Sequence, residues 1–460
     1  MSNRHVVIAG AGLAGVQVAD TLRAEGFPGR ITLVSAESVQ PYERPPLSKG
    51  FLDPANDVAH VVPLRPAAFY PENEVELLLG VRVVGIDRER QKVRLEAVAQ
   101  GDAVPAATHE DAVPTATHED AGRTDVDAGD VPSELSYTDL VLATGARNRP
   151  LPIKGGELDG VLELRELGHA QDLRRSLKDA GNVVVVGGGF IGLEFASAAA
   201  LWGAHATVLE FAERPMARVL SPAMSEYFAG EHARRGVRLQ LGEAAAEILA
   251  EDPSASPTTI AGTTDRRRVK GVRGSSGQVY PADLVLIAAG VVPNEELAVE
   301  AGLATANGIS VDATLQTSDP HIWAIGDCVS FPSRHTGTIL RLESEQNATD
   351  QGRYLGKRLL GRTDEEYSDL PWFWTHQGDL KLYIAGVTLP GDETLIRGDL
   401  EAGRFSVFSF RSGILSAVES VSQPSDHVAA RRTLGAGRGV TPGQVADPGF
   451  DFKAFSKGKA

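Results

Sequence analysis

The chain has 460 residues, enough for two or three domains, and 42% of them are hydrophobic, enough to fill several cores. Its 61 acidic residues outnumber its 45 basic ones, and the formal net charge of −16 argues against nucleic acid and anionic membrane as partners. Cys328 is the only cysteine in the sequence, which excludes an intrachain disulfide, a Cys-x-x-Cys redox pair and a cysteine metal cluster. Redox chemistry would need a bound cofactor, and no metal site is predicted.

The N-terminus, MSNRHVVIAGAG, leads directly into a predicted strand and shows no signal-peptide pattern. No hydrophobic run approaches the roughly 18 residues that cross a bilayer. We therefore expect a cytoplasmic protein that does not enter the membrane.

Residues 5–37 are predicted to form a strand, a glycine turn, a helix and a second strand. The turn is Gly10-x-Gly12-x-x-Gly15, in which the first glycine allows a tight turn, the second admits a pyrophosphate and the third lets helix and strand pack closely. Glu37 ends the second strand, where a carboxylate can accept hydrogen bonds from ribose hydroxyls. The segment predicts a dinucleotide site.

The stretch PYERPPLSKG places two prolines between Arg44 and Lys49. Proline fixes the backbone angle φ, so this loop is stiff, and the two cations can neutralise a pyrophosphate or an anionic cofactor. The alternative is a rigid surface turn with solvated charges.

Residues 101–130 contain DAVPAATHE followed at once by DAVPTATHE, with eight acidic residues against one arginine. Such a segment cannot bury a core. It predicts a flexible acidic insertion over about 99–133, and a role in docking is the alternative to a neutral insertion.

Residues 182–211 repeat the pattern of strand, glycine turn, helix and strand, with Glu210 at the end of the second strand. The glycines of this turn are Gly187, Gly189 and Gly192. A carboxylate at the strand end suits the free 2′-hydroxyl of NADH and opposes the 2′-phosphate of NADPH, so NADH is favoured. Arg214 and Arg218 follow a few residues later.

DLVLATGA at 139–146 and DLVLIAAG at 283–290 are predicted to be buried strands that end in small residues. We interpret the chain as an α/β protein with two Rossmann-like dinucleotide-binding domains, the second inserted in the first, and a C-terminal α+β domain. The predicted bounds are 1–157 and 281–370 for the first domain, 158–280 for the second and 371–460 for the third.

Two nucleotide folds in one chain predict two nucleotides, and we expect FAD to be the one held permanently. In HIWAIGDC, an apolar strand ending in Gly-Asp can aim Asp327 at a polyol such as ribityl, although a helix cap is the common use of such an Asp. LVLATGARNRP supplies a second approach of small residues to the pyrophosphate. NADH is the visiting nucleotide.

Seven motifs, in this order up to residue 386, make the chain resemble the FAD-dependent, NADH-linked ferredoxin reductases of bacterial oxygenase systems, of the putidaredoxin-reductase kind: YERPPLSKGFL, LRPAAFY, LATGARNRPLPI, GGGFIGLEFA, AIGDC, RLESEQNA and PWFWTHQGDLKLYIAG. Related disulfide reductases carry a redox cysteine beside the flavin. Here the corresponding stretch offers Arg44, two prolines and Lys49, so the flavin would deliver its electrons directly.

The resemblance implies that NADH passes hydride to flavin N5 and that single electrons then leave for a small iron-sulfur ferredoxin, which feeds an oxygenase such as a haem monooxygenase. It places Lys49 and Glu343 near the flavin and nicotinamide, as an ion pair that opens on NADH binding. Trp374 would cover the ring system, although core packing is the usual role of such a residue. His376 departs from the family, which commonly has Asp there. The expected oligomeric state is a monomer or weak homodimer.

The resemblance and the motifs together assign two sets of residues. Those expected at FAD are Gly10, Gly12, Ala14, Gly15, Glu37, Arg44, Lys49, Ala143, Thr144, Gly145, Arg147 and Asp327. Those expected at NAD are Gly187, Gly189, Ile191, Gly192, Glu194, Glu210 and Gly290.

Two other functions remain open from the sequence. A monodehydroascorbate-type or quinone-type reductase shares a similar YERP loop and the same one-electron chemistry. A flavoprotein of the apoptosis-inducing-factor type would instead use its NADH-reduced state as a binding signal.

Overall fold

The computed structural model describes residues 4–56, 61–98, 132–251 and 267–458. These residues form two compact units. The first comprises those within Met1–Glu43, His60–Arg147 and Val292–Pro371, and the second those within Arg44–Ala59, Asn148–Val291 and Trp372–Ala460. The acidic insertion predicted over about 99–133 lies outside the described residues, apart from its last two.

The first unit is built on a parallel sheet of five strands, in the spatial order Ile322–Ala324, Asp139–Leu142, His5–Ala9, Arg30–Val34 and Val75–Leu78. Its central strand is an apolar run that is buried on both faces, as in Val6, Val7 and Ile8, which are all 0% exposed. The parallel pairing and the spatial order of these strands confirm the predicted Rossmann-like arrangement.

Two helices of this unit, Leu13–Ala24 and Glu345–Leu359, pack closely against each other. A Cβ added at Gly352 would lie 2.8 Å from the carbonyl oxygen of Ala14, and one at Gly356 would lie 2.7 Å from Thr21 Cβ. The spacing of four residues puts both glycines on one helix face, so the backbones can approach.

Smaller elements complete the first unit. One small sheet is antiparallel and consists of Val81–Asp87, Lys92–Ala97 and Glu134–Ser136. Another consists of the short strands Ile309–Ser310, Val329–Pro332 and Ile339–Leu340. The unit also contains the short helices Phe69–Glu72 and Glu296–Glu300 and the 3₁₀ turn Gly326–Cys328. Strands Ala146–Asn148 and Val291–Pro293 span the points where the chain passes between the units.

The second unit begins with another parallel sheet, in the order Arg238–Leu241, His205–Glu210, Asn182–Val186, Leu284–Ile287 and Val161–Glu163. The helices of this part are Leu167–Leu177, Phe190–Leu201 and Pro222–Arg234, and its 3₁₀ turns are Pro45–Ser48 and Gly50–Leu52. A second, antiparallel sheet consists of Ala245–Ala250, Val269–Gly274 and Val279–Pro281. The first domain was predicted to resume at about residue 281, but strand Leu284–Ile287 is hydrogen-bonded to strand Asn182–Val186 of this second sheet. The predicted bound is therefore a few residues too early.

The C-terminal part of the second unit is an antiparallel sheet, in the order Trp372–Gln377, Leu380–Gly386, Ile414–Val421, Arg404–Arg411 and Glu393–Asp399. Its helices are Pro424–Gly435, Pro442–Ala446 and Phe452–Ser456. Phe405, Phe408 and Phe410 are buried in it. The predicted fold class, two dinucleotide-binding sheets and an α+β C-terminal domain, is confirmed. None of the helices described here is long and apolar enough to span a membrane.

A buried carboxyl group joins this sheet to the helix Pro222–Arg234. Glu419 is 0% exposed, and Ser221, the N-cap of that helix, donates to it from its backbone nitrogen at 2.8 Å and from its hydroxyl. Burial raises the pKa of Glu419 to about 7, although the hydrogen bonds from Ser221 and the charge of Arg214 act in the opposite direction. In the folded protein the carboxyl is therefore mainly protonated below about pH 7.

The raised pKa predicts how stability depends on pH. A carboxyl whose pKa is higher in the folded than in the unfolded state loses its contribution as pH rises from its ordinary value of 4.5 through about 7. Glu419→Gln keeps an acceptor for Ser221 and cannot ionise. We expect the variant to match the wild type in unfolding free energy near pH 4.5 and to exceed it by up to about 3 kcal/mol above pH 7. Urea unfolding at both pH values measures this, and a pH-independent difference would contradict it.

Candidate functional site

The first glycine turn has the geometry that a pyrophosphate requires. A Cβ at Gly10, where φ is +115°, would lie 2.2 Å from Ala143 O, and one at Gly15 would lie 2.0 Å from Gly10 O. A Cβ at Gly12 would meet nothing within 4 Å. Gly10 and Gly15 therefore permit close backbone packing, while Gly12 leaves open space at the N-terminus of the helix Leu13–Ala24.

Asn294 fixes the loop of small residues that follows strand Asp139–Leu142. Its side chain donates to Thr144 O at 2.8 Å, its backbone nitrogen donates to Gly145 O at 3.0 Å, and Thr144 Oγ1 donates to Asn294 O at 2.6 Å. Arg147 donates to Asn294 Oδ1 at 2.9 Å and pairs with Glu296 at 2.7 Å. The sequence prediction included Thr144, Gly145 and Arg147 and missed Asn294, whose signal was an Asn after Pro at a strand end.

Two buried side-chain donors lie on the helix Glu345–Leu359 of the first unit. Gly326, which precedes Asp327, donates its backbone N–H to Gln351 Oε1 at 2.7 Å, and a Cβ on Gly326 would lie 3.2 Å from Ala14 Cβ. Gln351 Nε2 and Asn347 Nδ2 are buried without a hydrogen-bond partner among the described residues. Burying an unpaired donor costs free energy, and a ligand rich in acceptors would satisfy these groups. The residues present therefore fit FAD.

Glu37 and Glu343, both in the first unit, each have a partner. Tyr42 donates its hydroxyl to Glu37 Oε2 at 2.6 Å and so holds this carboxylate in place. The strand was predicted to end at Glu37 but ends at Val34, so Glu37 lies in the segment just after it. Glu343 forms an ion pair with Arg341 at 2.7 Å.

The second glycine turn repeats the geometry of the first. A Cβ at Gly187 would lie 2.4 Å from Ala288 O, one at Gly192 would lie 2.1 Å from Gly187 O, and one at Gly189 would meet nothing within 4 Å. The open space at Gly189 again lies at the N-terminus of a helix, Phe190–Leu201, where Ile191 is 44% exposed. These residues fit the pyrophosphate of a dinucleotide.

Glu210 is held against this turn by two backbone amides. Its Oε2 accepts from Gly188 N at 2.6 Å and its Oε1 accepts from Ala212 N at 2.8 Å. Each oxygen keeps a lone pair that can accept a ribose hydroxyl. The carboxylate is thus oriented before NADH binds.

The two arginines after Glu210 differ in their surroundings. The guanidinium of Arg214 donates to Leu220 O, Ala217 O and Ser225 Oγ, so it is committed to its own loop. Arg218 is exposed, and its Nη2 lies 3.5 Å from where a Cβ of Gly290 would be. The inward orientation of Arg214 agrees with the preference for NADH over NADPH.

The most heavily bonded carboxylate of the site is Glu194, on the helix Phe190–Leu201. It is 4% exposed and accepts from Lys49 Nζ at 2.8 Å, from Thr375 Oγ1 at 2.6 Å and from the hydroxyl of Ser48. The sequence analysis expected Lys49 to pair with Glu343. That expectation was wrong: Lys49 pairs with Glu194, because this buried carboxylate needs a cationic partner, and Glu343 pairs with Arg341.

The proline loop, residues 44–49, is anchored within the second unit. Pro45–Ser48 form a 3₁₀ turn, which fits the φ that proline imposes. Arg44 Nη1 donates to Arg165 O at 2.7 Å, and Trp202 Nε1 donates to Leu52 O at 2.8 Å just beyond the loop. These anchors hold Ser48 and Lys49 against Glu194.

The ring of Trp374 lies beside the ammonium group of Lys49. Its Nζ lies 5.1 Å from the ring centroid of Trp374, within the range of a cation–π contact, and Trp374 in turn contacts His376 at 4.8 Å between centroids. Burial lowers the pKa of His376, and the charges of Lys381 and Lys49 lower it further. His376 is therefore a neutral ring at neutral pH, unlike the Asp that the family commonly carries.

The family of this chain follows from its fold and these two turns. Residues 4–352 match the model of the pyridine nucleotide-disulphide oxidoreductases, and residues 372–456 match the model described as reductase C-terminal. The chain belongs to the pyridine nucleotide-disulphide oxidoreductase family. Its one cysteine, Cys328, is fully buried, and burial raises the pKa of its thiol, so it lacks the features of a reactive thiolate.

Similar proteins cover nearly the whole chain. Rhodocoxin reductase from Rhodococcus erythropolis is 42% identical over 97% of this chain and 93% of its own length. Putidaredoxin reductase from Pseudomonas putida is 34% identical over 98% of this chain and 96% of its own length. The crystal structure of the ferredoxin reductase for the CYP199A2 system from Rhodopseudomonas palustris has a TM-score of 0.84 at 42% identity, covering 99% of this chain and 100% of that one. The predicted resemblance, an oxidoreductase activity and the use of FAD and NAD(H) are confirmed.

The open space at Gly12 and the tight contact at Gly15 predict opposite effects of the same substitution. We expect Gly12→Val to fold but to lose bound FAD, because its side chain would occupy the pyrophosphate space. Gly15→Val should destabilise the fold by about 3 kcal/mol or more, because its side chain overlaps a backbone oxygen. Far-UV circular dichroism, thermal unfolding and FAD content per chain measure both.

Gly230→Ala is the matched control for these variants, because a Cβ there meets nothing within 4 Å. It should retain both the fold and FAD. Full FAD content in Gly12→Val would contradict the assignment of this turn.

Proposed function

We propose that the chain is an NADH-dependent ferredoxin reductase, which passes electrons from NADH through FAD to a small iron-sulfur ferredoxin that feeds an oxygenase such as a haem monooxygenase. The observation that carries the proposal is the Lys49–Glu194 ion pair. Its lysine lies in a loop without a redox cysteine, in a chain with two dinucleotide turns. Without a dithiol, electrons leave the flavin directly for an external acceptor. The similar proteins named above are a rhodocoxin reductase, a putidaredoxin reductase and a ferredoxin reductase that match nearly the full chain, and their names support this acceptor.

NADH binding is the task of the second glycine turn. The N-terminus of the helix Phe190–Leu201 receives the pyrophosphate in the space beside Gly189, and Glu210 orients the adenosine ribose. Glu210 is already fixed by two amides, so little ordering of this side chain is needed when NADH binds.

When bound, FAD accepts hydride at N5 and releases electrons one at a time. The chain supplies position and charge. By resemblance to the family, the ammonium group of Lys49 would favour added negative charge on the flavin, and Glu194 holds that group in place. The ring of Trp374 lies 5.1 Å from the same ammonium group, within the range of a cation–π contact.

Other aspects of the sequence analysis remain proposals. The domain bounds of 1–157 with about 288–370, about 158–287 and 371–460 follow the predicted layout after the correction at strand Leu284–Ile287. A cytoplasmic location and a monomer or weak homodimer stay predictions. The names of the similar proteins favour a ferredoxin acceptor over a quinone or monodehydroascorbate and over a signalling role.

Anaerobic stopped-flow mixing tests the function. We expect NADH to bleach the flavin absorbance faster than NADPH does, and the reduced protein to transfer electrons rapidly to a ferredoxin encoded beside it. Rapid bleaching followed by transfer only to quinones would contradict the ferredoxin proposal. Slow reoxidation together with NADH-dependent dimerisation would favour a signalling flavoprotein.

Lys49→Met tests the ion pair. Loss of the charge should slow flavin reduction by NADH about a hundredfold, because a preorganised charge at the reacting centre is lost. Lys154→Met is the matched control, since Lys154 pairs with Glu247 at 2.6 Å on the surface. The control should react at the wild-type rate, and an equal rate in Lys49→Met would refute the role of Lys49.

A further inference from the structure

The strand Trp372–Gln377 presents one row of side chains to the second dinucleotide site. Phe373, Thr375 and Gln377 alternate along the strand and so lie on one face. We propose that Thr375 and Gln377, both in the C-terminal domain, are positioning residues of the NADH site, Thr375 by orienting Glu194 on Lys49 and Gln377 by supporting the glycine turn through Met216. This inference rests on the proposed function only in that NADH binds this site.

The row on the strand matches a row on the helix Phe190–Leu201. Phe373 contacts Phe190 with ring centroids 4.7 Å apart, and Thr375 Oγ1 donates to Glu194 Oε1 at 2.6 Å. Phe190 and Glu194 are four residues apart, so they share a helix face. Two side chains of the strand therefore contact two side chains on one face of the helix Phe190–Leu201, which we call the nucleotide helix.

Thr375 is the donor that fixes the rotation of the Glu194 carboxylate. Lys49 and Ser48 both donate to Oε2, whereas Thr375 donates to Oε1. The terminal torsion of a glutamate is broad, so donors on one oxygen alone do not fix the carboxylate plane. Thr375 is 0% exposed, which leaves water no access to replace its hydrogen bond.

Gln377 reaches the glycine turn through one intermediate residue. Its Nε2 donates to Met216 Sδ at 3.4 Å, and its Oε1 accepts from His232 Nε2 at 2.7 Å, so it is held from both ends. Met216 N donates to Gly188 O at 2.9 Å, in the middle of the turn. Met216 has φ of +51°, a conformation that non-glycine residues rarely adopt and that needs support from its surroundings.

The contact of Thr375 with Glu194 predicts an effect on the rate of flavin reduction, and the contact of Gln377 with Met216 predicts an effect on nucleotide binding. Thr375→Val removes the hydroxyl without changing shape, and we expect the limiting rate of flavin reduction at saturating NADH to fall about tenfold, since the bond is to a charged group. Its dissociation constant for NAD⁺ should stay within about twofold. Thr375→Ser should restore the rate, because it restores the donor.

Gln377→Met should act on binding instead. We expect its dissociation constant for NAD⁺, measured by isothermal titration of the FAD-containing protein, to rise about fivefold, with a limiting rate within about twofold of the wild type. Met216→Leu removes the sulfur acceptor from the other side and should give the same change in binding. Ser420→Ala is the control: it removes another buried hydroxyl of the same sheet, bonded to Ser406, and should change neither quantity.

FAD content and thermal midpoint check that each variant is folded. If Thr375→Val does not retain FAD, Thr375→Ala, which cannot clash, is compared with Thr375→Ser in its place. Equal losses in the valine and serine variants, or wild-type rate and binding in both Thr375→Val and Gln377→Met, would overturn the proposal. The experiment contains no ferredoxin. A negative result would therefore disprove the roles of Thr375 and Gln377 without testing whether ferredoxin is the electron acceptor.

Discussion

A buried carboxylate must be paired and hydrogen-bonded, and this constraint on Glu194 determines how the functional part of the second unit is assembled. An unpaired buried charge costs several kcal/mol, far more than a typical hydrogen bond returns. Glu194 meets the requirement with donors from Ser48, Lys49 and Thr375, which come from two distant parts of the chain. The proline loop, the nucleotide helix and the first strand of the C-terminal sheet are therefore fixed to one another at a single carboxylate.

The two glycine turns share one geometry, but the two dinucleotide sites differ in whether their buried hydrogen-bonding groups have partners. In the first, the amides of Asn347 and Gln351 are buried without partners among the described residues, so a bound FAD supplies acceptors that the chain lacks. In the second, Glu210 already accepts from two backbone amides, so NADH can leave without exposing an unpaired buried group. Under the proposed function, this difference favours FAD as the resident nucleotide of the first turn and NADH as the exchanging nucleotide of the second.

Local features of the site were predictable from the sequence, and long-range ones were not. The glycine turns and Glu210 follow from short patterns whose geometry is set within a few residues, as in Gly10 and Gly15. The partner of Lys49 is 145 residues away, and no local pattern distinguishes Glu194 from Glu343. The resemblance to a family expected both carboxylates near the site and assigned the pairing to Glu343, whereas Lys49 pairs with Glu194.

The same reasoning explains the residues and bounds that were missed. Thr375 and Gln377 look like ordinary strand residues, since their role depends on which helix the strand meets. Strand Leu284–Ile287 has the same apolar pattern as a strand of either sheet, and only its pairing with Asn182–Val186 decides between them.

The central claim is that Thr375 acts through the Glu194–Lys49 pair, and a double-mutant cycle measures this directly. The limiting rate of flavin reduction by NADH is compared in Lys49→Met, Thr375→Val and the double variant. The account predicts that Thr375→Val slows the wild type but has little further effect once Lys49 is replaced. Equal fold-losses in both backgrounds would show that Thr375 and Lys49 act independently and would contradict it.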